Sequence, residues 1–176
     1  MTATTYSLAA INAMGREDFV AALGDVFEHA PWVAEGAAAG RPYPSVTALH
    51  AALMQAVYRA SRETRLAFVH GHPELGGKLA RAGMMTEASR SEQGGLGLDR
   101  LGAEEFARFE RLNATYRERF GFPFIICVRR HTRDSILDEF EQRLRNDPDT
   151  ELAAALAEIG HITRLRLAAK VGEART

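Results

Sequence analysis

Apolar residues recur along most of the chain at intervals of three and four, the spacing that places side chains on one face of an α-helix. The strongest stripe predicts a helix over residues 103–120 that ends at Gly121. A short helix over residues 74–83 is also expected, although two glycines weaken it. Comparable stripes predict further helices over residues 16–29, 45–57, 61–69, 132–144 and 150–171.

The last of these helices carries a stripe that predicts its buried side. We expect the following side chains to face inward: Leu152, Leu156, Ile159, Ile162 and Leu165. Arg164 and Arg166 lie in the same apolar helix, within the sequence TRLRL. One of them could face inward and bind a carboxylate through two guanidinium N–H groups, or both could be exposed helix arginines.

One run departs from the helical pattern. Residues 122–128, FPFIICV, form a continuous apolar run rich in β-branched and aromatic side chains, which is typical of a buried extended segment. No run of comparable quality offers a partner strand, so no sheet is predicted. If the segment is extended and unpaired, its backbone N–H and C=O groups need other partners, and a bound polar ligand could supply them.

Composition adds the domain organisation. The 176 residues are 46% hydrophobic and 26% charged, an ordinary globular balance for one domain with a sizeable core. The net charge of −1 gives no sign of a nucleic-acid or anionic-membrane partner. We therefore predict an all-α fold, a single-domain compact bundle over residues 1–176, with roughly seven to nine helices and one short extended apolar segment.

The single cysteine and the absence of targeting features suggest a reducing compartment. Cys127 cannot form an internal disulfide, and its apolar surroundings offer no neighbour that would activate it as a nucleophile. No apolar run approaches the ~18–20 residues that span a bilayer. The chain begins without the pattern of a signal peptide and ends without a peroxisomal signal. These features predict a cytoplasmic protein.

Polar residues that could perform chemistry are concentrated in residues 70–95. His72 lies between Gly71 and Pro73, and a loop imidazole can act as an acid or a base near neutral pH. It could equally be a surface or structural histidine. His70 and His72 could also form a metal pair, with Glu74 as a possible third ligand, although single patterns of this kind are common and no further histidine lies nearby.

A second group follows at helical spacing. Ser89, Glu92 and Gln93 are spaced i, i+3 and i+4, so they share a face if the chain is helical there. A carboxylate beside a carboxamide and a hydroxyl can hold a flat ligand that presents several N–H and C=O groups. The alternative is a solvated helix face with some capping. The glycine pair at residues 94–95 would allow a ligand or another backbone to approach closely.

The order of several motifs resembles one known family. The motifs FEHAPWVAE, GHPELGGK, SRSEQGGLGLD, LNATYRERFGFPFIICV and ITRLRL, in this order and spacing, resemble the OHCU decarboxylase family. OHCU is 2-oxo-4-hydroxy-4-carboxy-5-ureidoimidazoline, which the family decarboxylates to (S)-allantoin in the last step of oxidative urate breakdown. The resemblance covers about residues 8–171. One conservative departure is Glu74, where many members have aspartate.

The resemblance implies an all-α fold, a homodimer, a small-molecule substrate, and neither a cofactor nor a metal. It implies that His72 and Glu92 are the catalytic residues. It also implies a substrate-binding set, with Arg164 as the rival of its last member: Pro73, Ser89, Glu92, Gln93, Phe124, Ile125, Ile126, Cys127, Val128 and Arg166. Two other functions remain open from the residues alone, a non-catalytic helical interaction module and a metal-dependent hydrolase that uses His70 and His72.

Overall fold

The structure is a computed structural model that describes residues 6–76 and 85–172. Nine α-helices lie within these two ranges: α1 (Leu8–Ala13), α2 (Arg16–Leu23), α3 (Pro31–Ala37), α4 (Val46–Arg59), α5 (Arg62–His70), α6 (Glu87–Gly95), α7 (Ala103–Phe120), α8 (Arg133–Arg143) and α9 (Pro148–Lys170). Three short 3-10 helices are Ala38–Gly40, Leu98–Arg100 and Val128–Arg130. The prediction of an all-α fold is confirmed.

Two very short strands are the only sheet in the described residues. β1 (Tyr6–Ser7) pairs in parallel with β2 (Val171–Gly172), and Tyr6 lies opposite Val171. The sequence analysis predicted no sheet. Two residues per strand are too few to leave an alternating hydrophobic pattern, so this pairing has no sequence signal.

The contacts between Cα atoms divide the chain into two units. The first unit comprises Met1–Phe68 and Gly160–Thr176, and the second comprises Val69–Ile159. The expectation of one domain over residues 1–176 stays a prediction.

The first unit is built around helix α3, which packs against α2 and α4. Phe19, Leu49 and Leu53 are fully buried in its core. Helix α4 begins where predicted, because the Ser45 hydroxyl accepts the N–H of Ala48 over 3.0 Å and so caps the first turn. The apolar stripes of these helices therefore form a real core rather than a solvated face.

The second unit has an aromatic core around Tyr116 of α7. This ring is fully buried and lies edge-on to Phe122, Phe124 and Phe140, with centroid distances between 5.2 and 6.0 Å. Phe124 also stacks on Phe140 at 3.7 Å. Aromatic side chains of the apolar segment are thus core residues, as predicted, and they fix the segment against α7 and α8.

A buried carboxylate organises the polar part of the same core. Glu151 is fully buried and accepts from Nη2 and Nε of Arg143 over 2.6 and 2.9 Å. The Tyr116 hydroxyl and the Asn146 amide also donate to this carboxylate. Burial raises the pKa of the Tyr116 phenol, so the hydroxyl stays protonated and remains a donor. Four hydrogen bonds together compensate for the cost of burying the charge.

Two details of the helix predictions are corrected. The helix expected over residues 16–29 ends at Leu23, and Gly24 forms its C-cap. Leu165 is 39% exposed, whereas Thr163 and Leu167 of α9 are buried. The buried stripe continues through Thr163, whose hydroxyl donates to the Gly160 carbonyl, and a polar residue in that position hid the stripe from the apolar pattern. Most of the helix expected over residues 74–83 lies outside the described residues.

We expect Arg143→Ala to lower the free energy of unfolding by about 3–5 kcal/mol, because the Glu151 carboxylate would stay buried without its guanidinium partner. Urea unfolding followed by circular dichroism measures this change. Arg108→Ala is the matched control, since Arg108 pairs with Glu141 at the surface and such pairs contribute about 0–1 kcal/mol. Equal losses in the two variants would contradict a structural role for the buried pair.

Candidate functional site

The loop that carries the predicted catalytic histidine follows directly after α5. The His72 side chain is half-buried. The backbone N–H of His72 donates to the Val69 carbonyl over 3.2 Å, which closes a turn at the end of the helix. Pro73 follows and cannot continue the helix, because it has no N–H to donate. The loop thus begins at a fixed place and in a non-helical conformation.

Gln93 of α6 fastens this loop. Its side-chain Oε1 accepts the N–H of Gly76 over 2.9 Å, and its Nε2 donates to the Glu74 carbonyl over 3.3 Å. Gln93 is 5% exposed, so both hydrogen bonds are sheltered from water. One face of α6 and the loop of His72 are therefore tied together by a single carboxamide.

Helix α7 supports the loop from another side. The Asn113 amide donates to the Leu75 carbonyl over 2.9 Å, and Arg117 forms an ion pair with Glu74. Nδ1 of His70 lies 3.0 Å from the Gly121 carbonyl. Three consecutive residues of the loop, 74–76, are thus held through side chains that come from two helices.

Helix α6 carries the three residues predicted to share a face. Thr86 forms its N-cap, and the Thr86 hydroxyl accepts the N–H of Ser89 over 3.3 Å. Ser89 and Gln93 are buried, whereas Glu92 is half-buried. Because residues three and four apart lie on one face, α6 presents a hydroxyl, a carboxylate and a carboxamide together.

The apolar segment is neither a helix nor a paired strand over residues 123–127. Its polar backbone groups bind side chains instead. The Ile125 carbonyl accepts from Nη1 of Arg143 over 2.7 Å, and the Cys127 N–H donates to Oε2 of Glu158 over 2.7 Å. Residues 124–128 are all buried. Residues 123–127 thus lie buried outside any helix or sheet, and the burial predicted for this apolar run is confirmed.

Two residues of the segment differ from their neighbours. Across residues 6–76 and 85–172, no hydrogen bond reaches the backbone N–H or C=O of Phe124 or Ile126. Buried backbone groups in folded proteins nearly always have a partner. Unpartnered backbone groups were the condition that the sequence analysis attached to a binding role, and that role stays a prediction.

The helix of Glu92 lies close to this segment. Helix α6 packs against the 3-10 helix Val128–Arg130, which directly follows the segment in the chain. Burial raises the pKa of the Cys127 thiol, and the negative charges of Glu158 and then Glu92 raise it further. Glu92 is thus near enough for its charge to act on the segment. Helix α6 connects the loop of His72 on one side to the segment on the other.

The two candidate arginines belong to the first unit. Nη1 of Arg166 forms an ion pair with Oε2 of Glu28 at 2.9 Å, and the two side chains are 11% and 2% exposed. Arg164 is exposed. Of the two candidates, Arg166 is therefore the arginine that faces into protein and can bind a carboxylate there.

Neither a cluster of metal ligands nor a membrane-spanning helix is present in the described part of the chain. It contains no group of three or more His, Cys, Asp or Glu side chains that could hold a metal ion. None of its helices is long and apolar enough to cross a membrane.

Three charged residues around the segment were missed by the sequence analysis: Arg143, Glu151 and Glu158. A signal for the two glutamates exists in hindsight. They are seven residues apart in α9, so they lie on one helix face, and that face also contains apolar residues. Charged residues within an apolar stripe are buried only when they are paired. Nothing in the pattern indicates that Arg143 is their partner.

The fold is that of a helical protein, and its second unit contains the loop of His72, the helix of Glu92 and a buried segment outside any helix or sheet. The family model for OHCU decarboxylase matches residues 12–168. A 2-oxo-4-hydroxy-4-carboxy-5-ureidoimidazoline decarboxylase of Haloferax volcanii is 43% identical over 162 residues, which are 92% of this chain and 94% of the relative. The chain therefore belongs to the OHCU decarboxylase family.

Further relatives and solved structures agree with this assignment. The Amia calva protein of the same name is 38% identical over 157 residues, which cover 89% of this chain and 90% of the relative. A crystal structure of (S)-allantoin synthase matches with a TM-score of 0.75 and 25% identity, over 94% of this chain and 54% of that chain. A crystal structure of OHCU decarboxylase in the presence of (S)-allantoin has a TM-score of 0.61 and 21% identity, over 88% and 96%, and supports the fold.

We expect the Cys127 thiol to react slowly with iodoacetamide in the folded protein, and its rate to rise only at a pH above the ordinary thiol range. The raised pKa means that the folded state holds the thiol proton more tightly than the unfolded chain does. The associated stability is present below the unfolded pKa and is lost as the pH rises through the folded pKa. Mass spectrometry of the alkylated fraction against pH measures the reactivity of the thiol in the folded protein. A sample in urea gives the same profile for the unfolded chain. Equal profiles in the two samples would refute the prediction.

Proposed function

We propose that this protein decarboxylates 2-oxo-4-hydroxy-4-carboxy-5-ureidoimidazoline and delivers a proton to one face of the product, giving (S)-allantoin. Membership of the OHCU decarboxylase family supports the reaction. The observation that carries the assignment of the site is the double hydrogen bond of Gln93 to the loop after His72. It ties the candidate acid or base to the helix that carries Glu92.

The reaction needs little from the protein in electronic terms. The substrate is a planar ring system rich in N–H groups, and one carbon bears both the carboxylate and the hydroxyl. When the bond to the carboxylate carbon breaks, CO₂ leaves, and the electron pair delocalises into the adjacent C=N group. A proton is then added to the neighbouring carbon, and the hydroxyl becomes a carbonyl as its proton passes to the nitrogen of the former C=N group. One proton is taken up in all. The protein's tasks are orientation, electrostatic stabilisation and delivery of that proton.

His72 is proposed as the residue that acts on the carboxylate and hydroxyl and that donates the proton. An imidazole can exchange a proton near neutral pH, and general acid–base catalysis of this kind contributes about 10²–10⁴ in rate. The turn to Val69 and the hydrogen bonds of residues 74–76 hold the loop. A fixed histidine can deliver a proton to one face only, and this accounts for a product of single handedness.

Helix α6 is proposed to bind the ureido and ring N–H groups. The Glu92 carboxylate accepts N–H hydrogen bonds and contributes negative charge beside the ring. Ser89 adds a hydroxyl. Gln93 uses one N–H and one oxygen lone pair in its hydrogen bonds to the loop. Its second N–H and second lone pair are proposed to form hydrogen bonds with the substrate. Pro73 is proposed to pack against the substrate beside His72.

The backbone of Phe124, Ile125, Ile126, Cys127 and Val128 is proposed to bind the carbonyl oxygens and N–H groups of the ring. The backbone N–H and C=O groups of Phe124 and Ile126 support this role, because none of the described residues forms a hydrogen bond with them. Arg166, which the family resemblance places in the substrate-binding set, is proposed to bind the substrate carboxylate. A homodimer and a cytoplasmic location also remain proposals from that resemblance.

We expect His72→Ala to lower kcat by at least about a hundredfold while the far-ultraviolet circular dichroism spectrum stays that of the wild type. The substrate decays spontaneously, so it is generated in situ from urate with a urate oxidase and a hydroxyisourate hydrolase. The optical activity of allantoin is then followed against time, and the uncatalysed decay is subtracted.

His70→Ala is the matched control for this variant. His70 is exposed and is two residues away, so its loss should leave the rate within about twofold of the wild type. If a pair of histidines held a catalytic metal, both variants would lose activity and EDTA would inhibit the wild type. Full activity in His72→Ala would refute the assigned role.

Arg166→Ala should lower kcat/KM by about tenfold or more, because a bidentate charged contact to a carboxylate would be lost. Arg164→Ala should change it by less than about twofold, since Arg164 is exposed on the same helix. Initial rates at several substrate concentrations, with melting temperatures of both variants, measure the difference. The reverse order of the two effects would assign the role to Arg164.

A further inference from the structure

Two charged side chains hold the segment of residues 124–128 along one side. Arg143 donates to the Ile125 carbonyl over 2.7 Å, and Glu158 accepts the Cys127 N–H over 2.7 Å. Each contact involves an ionised group, and such hydrogen bonds are shorter and stronger than neutral ones. The two contacts are separated by one residue, Ile126.

Both contacts depend on one face of helix α9. Glu151 and Glu158 are seven residues apart, which is about two helical turns, so their side chains lie on the same side of the helix. Glu151 fixes the guanidinium of Arg143, and Glu158 reaches the segment directly. The Glu158 side chain is 18% exposed, so water competes only weakly for its carboxylate.

The planar trans peptide bond determines where the groups of the intervening residue point. The C=O and the N–H that share one trans peptide unit point in opposite directions. The Ile125 carbonyl points toward Arg143, so the Ile126 N–H points away from Arg143, and the Cys127 N–H points toward Glu158, so the Ile126 C=O points away from Glu158. In agreement, nothing in residues 6–76 or 85–172 forms a hydrogen bond with the backbone of Ile126.

We propose that Glu158 is a positioning residue, which holds the Cys127 N–H so that the N–H and C=O of Ile126 are presented to the substrate. This inference rests on the proposed function. A donor and an acceptor side by side on one residue match the adjacent C=O and N–H of a cyclic ureide, as two strands match across a ladder. The Cys127 N–H already donates to Glu158. The ring therefore binds the backbone of Ile126 rather than the backbone of all residues 124–128 equally.

The role is tested with three variants of the full-length protein. Glu158→Ala leaves the Cys127 N–H without its acceptor, and we expect kcat/KM to fall by about tenfold or more, mainly through KM, because the ring is bound in both ground and transition states. Glu158→Gln keeps an acceptor oxygen and should recover most of this loss. Glu118→Ala, at an exposed position of α7, is the matched control and should behave as the wild type.

The outcomes separate positioning from other roles. Wild-type kinetics in a folded Glu158→Ala variant, or a change in melting temperature alone, would overturn the inference. So would a Gln variant as impaired as the Ala variant, since the carboxylate charge itself would then be required. An inactive wild-type protein would instead refute the proposed function.

Amide hydrogen exchange gives a second readout that does not depend on a variant folding or on turnover. The Cys127 N–H should be protected in the free wild-type protein, because Glu158 already binds it. The Ile126 N–H should gain protection when (S)-allantoin is added. Two results would contradict the proposed roles of Ile126 and Cys127. One is a protected Ile126 N–H in the absence of ligand, and the other is a Cys127 N–H that loses its protection when the ligand is added.

Discussion

Buried polar groups of the backbone need hydrogen-bond partners, and Ile125 and Cys127 of the segment 123–127 find theirs without belonging to a helix or a sheet. Its phenylalanines lie in the aromatic core around Tyr116, so the segment is held in the interior by its side chains. Its backbone must then be satisfied by side chains of other elements. The buried carboxylate of Glu151 makes this possible, because it fixes the guanidinium that binds Ile125.

The same constraint relates structure to chemistry. A backbone edge that is satisfied on one side by charged side chains is rigid, and a rigid donor and acceptor can bind a flat ligand with little loss of entropy. Helix α6 contributes side chains of a different kind, a carboxylate and a carboxamide, and Gln93 connects that helix to the loop of His72. In the proposed mechanism, orientation of the substrate ring and delivery of the proton come from separate elements of the second unit.

Most helices could be predicted from their periodicity, the buried segment from its continuous apolar run, and the family from the order of the motifs. The partners of the segment could not be predicted. Glu158 and Cys127 are far apart in the chain, and no local pattern indicates which carboxylate binds which amide. Leu165 shows a related limit, since the buried stripe of α9 passes through the polar Thr163 instead. The two-residue strands are too short for any pattern.

The most direct test of this account is a crystal structure of the protein with (S)-allantoin bound. The account predicts that the ring lies within hydrogen-bonding distance of the Ile126 backbone and the Glu92 carboxylate, with His72 beside it and the Cys127 N–H still bound to Glu158. A ring bound away from Ile126 and Glu92, or one that takes the Cys127 N–H from Glu158, would contradict it.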